Sequence, residues 1–280
     1  MPHTIHPPTT LDPTTTVVEK HIADLGKIYL EYTISGKKNE QAILFVHGLG
    51  ANQSQFEYQH PFFNETYCVI AVSLRGHGNS SPPKKMRISD FRLKRLCKDI
   101  ITLLQELHIE KIHYVGNSMG GNIGYEMLKS YPEKLLSLTT FGTTAYLKKS
   151  PFVVGLIKLV YQVVGTKTLS HLSNAAGITP YSKQKIKDMI AATQTLTVMN
   201  LIPHLRKINY LKTIKKSRTR AMIIRGNMDD EINNVLESTI TCFLLRGNFE
   251  LKELKNAGHF ANLDDPENFN HTLLSFLKTV

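Results

Sequence analysis

The sequence predicts an α/β fold carrying one inserted, strongly basic segment. Three observations predict it. Short apolar runs bounded by glycine-containing turns recur along the chain, and several lead into helix-like stretches. The residues that could carry chemistry fall in loops after such runs, the edge where open α/β sheets form ligand sites. Residues 145–220 hold fourteen Lys or Arg and one acid, Asp188, a local charge of +13; the rest of the chain is −2. The net +11 therefore belongs to that segment alone.

The elements follow in order. Residues 1–16, Met1 to Thr16, are rich in proline and threonine and lack the basic start and apolar stretch of a secretory signal. They are expected to form a disordered leader. Ala42–Val46 reads as a strand, followed by His47-Gly48-Leu49-Gly50. Lys111–Val115 reads as a buried strand, then Gly116-Asn117-Ser118-Met119-Gly120 turns into a helix-like stretch from Gly121 to Leu128. In the inserted segment, Lys183–Ile190 and the stretch on to Leu201 have helical spacing, with Ser182 as the expected N-cap. Ala221–Arg225 reads as a strand whose C-terminal turn carries Asp229, Asp230 and Glu231. Phe249–Leu254 is the last strand, followed by Asn256-Ala257-Gly258-His259-Phe260 and a helix from about Pro266 to Leu277.

A serine on a tight strand-to-helix turn has its hydroxyl pushed out of the backbone into a cleft. That hydroxyl attacks a carbonyl only when a base takes its proton, and a carboxylate must orient the base. Ser118, His259 and the acids after residue 226 supply these types. Taken singly, each fits a commoner role, as a helix N-cap, a loop histidine or a solvated turn acid. Their joint order, serine then acid then histidine on three post-strand loops, is what points to chemistry. His47 and His77, in glycine-rich loops, read as loop-shaping residues. No histidine pair has metal-ligand spacing, and no phosphate-binding or dinucleotide fingerprint occurs.

On these motifs the chain resembles the serine hydrolases of the α/β-hydrolase fold family, from about Val17 to the C-terminus. The resemblance implies a mostly parallel, doubly wound sheet. It implies a hydrolase core over residues 17–144 and 221–280, and a helical cap with its return linker over residues 145–220. It assigns Ser118 as nucleophile, His259 as base and Asp229 as acid, with Asp230 as the fallback and Glu231 behind it. The His47-Gly48-Leu49-Gly50 loop implies an oxyanion hole built from the Leu49 and Met119 amides. Ser73-Leu74-Arg75-Gly76-His77-Gly78-Asn79-Ser80 is similar to the family's D-x-R-G-x-G-x-S loop, with Ser73 where an aspartate is usual. The loop is therefore expected to be anchored differently.

The implied activity is cleavage of carboxylic esters of small to medium size with an apolar acyl part, with no cofactor and no metal. The elbow also resembles enzymes that hydrolyse carbon–carbon bonds in ring-cleavage dienoates, although the oxyanion loop lacks their proline and the chain has no tryptophan. Perhydrolase activity would use the same triad. A serine at the elbow argues against the family's dehalogenases and epoxide hydrolases, which place aspartate there. A reading of another class is a non-catalytic ligand-binding protein on the same scaffold.

Pro151–Val164 is apolar on nearly all sides. It is expected to line an acyl pocket, to pack as plain core, or to rest on an anionic membrane surface. No apolar run reaches the roughly 20 residues a membrane-spanning helix needs. A nucleic-acid partner is not expected, because no binding module accompanies the basic residues. Cys68, Cys97 and Cys242 are too few and too scattered for a disulfide framework, and Cys68 in a strand and Cys242 in a helix read as packed thiols. They suit a reducing, cytoplasmic setting. Oligomeric state is left open.

Overall fold

The computed structural model describes residues 18–172 and 177–280; the expected leader lies outside the described residues. The strands are β1 (Glu19–Asp24), β2 (Tyr29–Ser35), β3 (Ala42–Val46), β4 (Cys68–Val72), β5 (Ile112–Asn117), β6 (Leu135–Phe141), β7 (Tyr146–Lys148), β8 (Lys207–Asn209), β9 (Arg220–Gly226) and β10 (Phe249–Leu254). The helices are α1 (Gln59–Phe63), α2 (Leu93–Glu106), α3 (Met119–Ser130), α4 (Pro151–Leu172), α5 (Pro180–Ala192), α6 (Thr195–Leu205), α7 (Leu211–Lys216), α8 (Asp230–Arg246), α9 (Ala261–Asp264) and α10 (Pro266–Leu277).

Eight strands form one sheet in the order β1-β2-β4-β3-β5-β6-β9-β10. β2 runs antiparallel to β1 and to β4; every other pairing in that sheet is parallel. The mostly parallel sheet is therefore as expected. β3 and β4 are buried at every residue, which is why they read as unbroken apolar runs: both sheet faces are covered. Alternation still operates within them. Leu44 and Val46 join the layer of α2, α3 and α8 through Ile100, Ile123 and Phe243. Ile43 and Phe45 join the opposite layer of α1 and α10 through Phe63, Phe269 and Leu273.

Between β6 and β9 the chain adds α4 to α7 and the small β7–β8 ribbon. Three expectations change here. The N-cap of α5 is Thr179, because Pro180 sits at the first helical position, where its missing N–H costs nothing. Ser182 instead completes the capping box, its amide donating to Thr179 Oγ1 at 3.0 Å. The helical stretch running to Leu201 is broken at Thr193 and Gln194, and α6 begins anew at Thr195.

The third change concerns α4. It runs past the apolar stretch seen in sequence, and Pro151–His171 is long and apolar enough to cross a membrane by length and composition. Gly165, Thr166 and Lys167 close the apolar stretch in the sequence and obscured that reach. The helix is broken at Gly165 (φ 77°, ψ 159°), a backbone state open to glycine. Just beyond it, Thr166 Oγ1 donates to the Thr193 carbonyl at 2.7 Å. Nor is α4 plain core: Phe152, Leu156, Leu159 and Val163 are exposed, while Val154 is buried against Val198 and Ile202.

Candidate active site

The Ser118 elbow is built by close approach of backbones. β5 delivers the chain to Ser118, which adopts φ 52° and ψ −117°, and α3 starts at Met119. Such a φ in a non-glycine residue is strained and persists only where the surroundings enforce it. The enforcement is visible. The Ser118 amide donates to the Phe141 carbonyl at 2.9 Å, and Tyr114 Oη donates to the Gly120 carbonyl at 2.7 Å. A Cβ at Gly120 would collide with the Val46 carbonyl oxygen, and one at Gly116 would stand 2.6 Å from the Gly120 carbonyl. The glycines of the motif are thus required by packing between β3, β5 and α3.

The histidine loop follows β10. His259 Nδ1–H donates to Asp229 Oδ2 at 2.8 Å, fixing the tautomer with Nε2 free. Asp229 is buried and is also the N-cap of α8, its Oδ1 accepting the Ile232 amide at 3.4 Å. Its two neighbours do other things. Asp230 is exposed at the first position of α8, and Glu231 pairs with Lys149 at 2.9 Å. The structure therefore brings Asp229 and His259 together and leaves Asp230 and Glu231 outside that contact.

Ser118, His259, Leu49 and Met119 open onto one cavity of about 360 Å³. Among the described residues, the Leu49 and Met119 amides donate to no acceptor in the chain. Met119 is the first residue of α3, where the helix dipole places partial positive charge. Val154, Ile157 and Tyr161 of α4 and Ile202 of α6 form an apolar wall opposite.

His47 and His77 shape the loop, as expected. His47 Nε2 accepts the Leu74 amide at 2.9 Å while Nδ1 donates to the Gly48 carbonyl at 2.6 Å. His77 Nε2 accepts the Gly50 amide at 3.3 Å. Burial drives the His47 pKa well below its ordinary value, with His77 adding to the effect, and burial takes His77 to about 4. Both act as neutral rings that hold the Leu49 loop to the neighbouring turn.

The altered loop at Ser73 has its own anchor. Ser73 Oγ donates to Glu31 Oε2 at 2.7 Å, and the Asn79 amide donates to the same oxygen at 3.0 Å. Glu31, from β2, thus supplies the carboxylate that residue 73 lacks. Two further residues escaped sequence reasoning. Asn117 Nδ2 donates to the His259 carbonyl at 2.8 Å. Asp264 accepts the Gly258 amide at 3.0 Å and the Ile178 amide at 2.8 Å, tying the histidine loop to the start of α5. Ser73 itself hinted that another carboxylate was needed; Asp264 carries no local signal. Among the described residues no group of three or more His, Cys, Asp or Glu could hold a metal.

Comparison with known proteins agrees with this architecture. A family model described as alpha/beta hydrolase fold matches residues 41–266. The chain is 24% identical over 259 residues to 3-oxoadipate enol-lactonase 2 of Acinetobacter baylyi, covering 90% of this chain and 94% of that protein. It is 25% identical over 301 residues to Homo sapiens epoxide hydrolase 4, covering 98% and 82%. The solved enol-lactonase of Burkholderia xenovorans LB400 superposes with a TM-score of 0.79 at 20% identity, covering 92% of this chain and all of that one. With the sheet order and the strained elbow, the match over most of its length makes this chain a member of the α/β hydrolase fold family and an enzyme.

Proposed function

We propose that the chain is a serine hydrolase that cleaves carboxylic esters through an acyl-enzyme. The observation that carries this is the 2.8 Å contact between His259 Nδ1 and Asp229 Oδ2 at the edge of the cavity onto which Ser118 opens. In this reading His259 Nε2 takes the Ser118 proton as Oγ attacks the carbonyl carbon. The Leu49 and Met119 amides hold the oxyanion, a contribution of about 10²–10³-fold per donor in comparable sites. His259 then protonates the departing alcohol. Water, deprotonated by the same ring, releases the acid and restores Ser118.

The apolar wall suits an acyl chain, and a cavity of about 360 Å³ favours small to medium substrates, being near the lower end of the usual ligand-site range. The enol-lactonase relative's name points to a cyclic ester, the same acyl chemistry. Residues 145–220 act as the cap in this proposal, since α4 and α6 supply that wall. A cytoplasmic setting belongs to the same reading and is supported by Cys68, Cys97 and Cys242, all free and buried.

The test is hydrolysis of p-nitrophenyl esters of graded acyl length by the parent and by Ser118→Ala, with covalent capture of Ser118 by a fluorophosphonate. Parent turnover should fall by about 10⁴–10⁶-fold in the variant. Equal rates, or no turnover at any length, would support a ligand-binding protein instead. Fast release of a carboxylic acid from a ring-fission dienoate, with poor ester turnover, would support carbon–carbon cleavage.

A further inference from the structure

The outward face of α4 has no partner within the described residues. Phe152, Leu156, Leu159 and Val163 recur at helical spacing on one side, with Phe152 80% and Val163 76% exposed. Val154, Ile157 and Tyr161 point the other way, into the cavity shared with Ser118. One helix therefore separates the cavity from solvent with apolar side chains on both faces. Contiguous apolar surface of this kind marks a binding site rather than an ordinary exterior.

Charge identifies the occupant. Residues 145–187 contain no acid, Lys148 and Lys167 are exposed before the helix and beyond its break, and the half-buried Lys158 lies between them. Among the described residues none of these three lysines makes an ion pair, whereas Lys149 is held by Glu231. A second copy of the chain docking face to face would bring two segments of +13 together, and a two-fold contact opposes like patches. An anionic lipid surface satisfies both features: apolar side chains enter the acyl boundary while the lysines meet headgroups. The helix is suited to lie in that layer rather than to cross it. The break at Gly165 leaves residues 151–164 as the straight portion, shorter than the roughly 20 residues needed to span.

We propose that α4 docks this protein on the surface of an anionic phospholipid bilayer, with Phe152, Leu156, Leu159 and Val163 in the interfacial layer. The cavity then lies one helix diameter, about 10 Å, from the lipid. Resting on the hydrolase reading above, this makes esters that partition into membranes the favoured substrate class.

The experiment is co-sedimentation of the full chain with sucrose-loaded vesicles of phosphatidylcholine alone or with about 30% phosphatidylglycerol, at about 0.1 M and about 1 M salt. The parent should bind the anionic vesicles at least about tenfold better than the neutral ones and weaken as salt rises. Leu156→Glu with Val163→Glu should lower anionic-vesicle binding by about tenfold or more while leaving turnover of a soluble short-chain ester within about twofold. Lys148→Gln, Lys158→Gln and Lys167→Gln together should lower binding to anionic vesicles only; this arm stands if the glutamate pair does not fold. Ser118→Ala should bind as the parent does, so loss of hydrolysis and loss of docking are read separately. No sedimentation of the parent with anionic vesicles, or unchanged binding by folded variants of both sets, overturns the proposal. So does a parent dimer by light scattering that Leu156→Glu with Val163→Glu dissociates without any vesicle binding, which would assign the face to a second copy.

Discussion

The Asn117 side-chain amide donates to the backbone carbonyl of His259 across 2.8 Å. The residue before the proposed nucleophile thus grips the loop of the proposed base. Its own Oδ1 accepts Gln55 Nε2 at 3.2 Å, and Gln55 Nε2 reaches Asn262 Oδ1 at 3.1 Å, beyond the histidine. Asn117→Asp keeps the volume but removes the donor. Both Asn117→Asp and Asn117→Ala should lower kcat by about 10–100-fold, as expected when a base is displaced by up to an ångström. KM should hardly change, since Asn117 does not line the cavity. The folding cost is about 1–3 kcal/mol for alanine, because Asn117 is fully buried and its partners are left unpaired, and larger for aspartate, which would bury a charge beside the His259 carbonyl. Steady-state kinetics beside thermal melts separate the two effects. A stability loss with unchanged kcat would reduce the contact to plain structure.

Asp229 and Asp230 are adjacent in sequence and opposite in placement. Asp229 is buried against His259, whereas Asp230 faces solvent. Asp229→Asn leaves a side chain of the same shape that no longer enforces the tautomer with Nε2 free. It should cost about 10⁴-fold in kcat if the proposed triad operates, the loss typical of Ser-His-Asp sites. Asp230→Asn should stay within about twofold of the parent, the usual result for a surface change away from the site. Ester hydrolysis rates of the two variants decide it: small losses in both would mean that either acid can serve the ring, and large losses in both that Asp230 is also needed.

Much of this arrangement was legible from local pattern, for identifiable reasons. β3, β10 and α10 fall at the residues expected: β3 is a buried parallel strand read as an unbroken apolar run, β10 a partly exposed edge strand that alternates apolar and charged residues, and α10 a helix started by Pro266. The elbow was legible because Gly116 and Gly120 answer to backbone contacts that no other residue tolerates. The outcome for α4 was not legible. A helix apolar on all sides carries no facial signal, so the sequence could not say which stripe meets the cavity and which meets solvent. Glu31 and Asp264 were hidden for another reason: Glu31 meets Ser73 and Asp264 meets Ile178 across dozens of residues, and no local spacing encodes such contacts.

Two glycines should respond in opposite directions to the same substitution. Gly120→Ala would drive a methyl group into the Val46 carbonyl oxygen. Neither backbone can yield without moving β3 or α3, so a loss of at least about 1–3 kcal/mol is expected. Gly155 lies on the exposed side of α4, and a Cβ there would meet nothing within 4 Å. Alanine at this position should stabilise by about 0.5–1 kcal/mol, because it restricts the unfolded chain and favours the helix. Denaturant midpoints of both variants give the comparison. A neutral Gly120→Ala would show that the elbow relaxes easily, contrary to the strain seen at Ser118.

Acid stability should be governed by buried neutral histidines. His60 sits between Thr33 Oγ1 at 2.9 Å and Ser35 Oγ at 2.8 Å, and burial lowers its pKa to about 4. His77 and His113 are lowered to about 4 by the same cause. The unfolded chain protonates these rings near pH 6.5, while the folded protein resists until about pH 4. In that window the unfolded state binds more protons, so stability is full above about pH 6.5 and declines as pH falls. Each ring contributes up to about 1.4 kcal/mol per pH unit across the interval. His60→Gln removes one titrating group while keeping a polar side chain between the two hydroxyls. Its melting temperature should start lower at neutral pH, then fall less steeply than the parent's between about pH 6.5 and pH 4. Parallel curves would mean that His60 gains its proton as easily in the folded protein as in the unfolded chain, and that its burial carries no acid penalty.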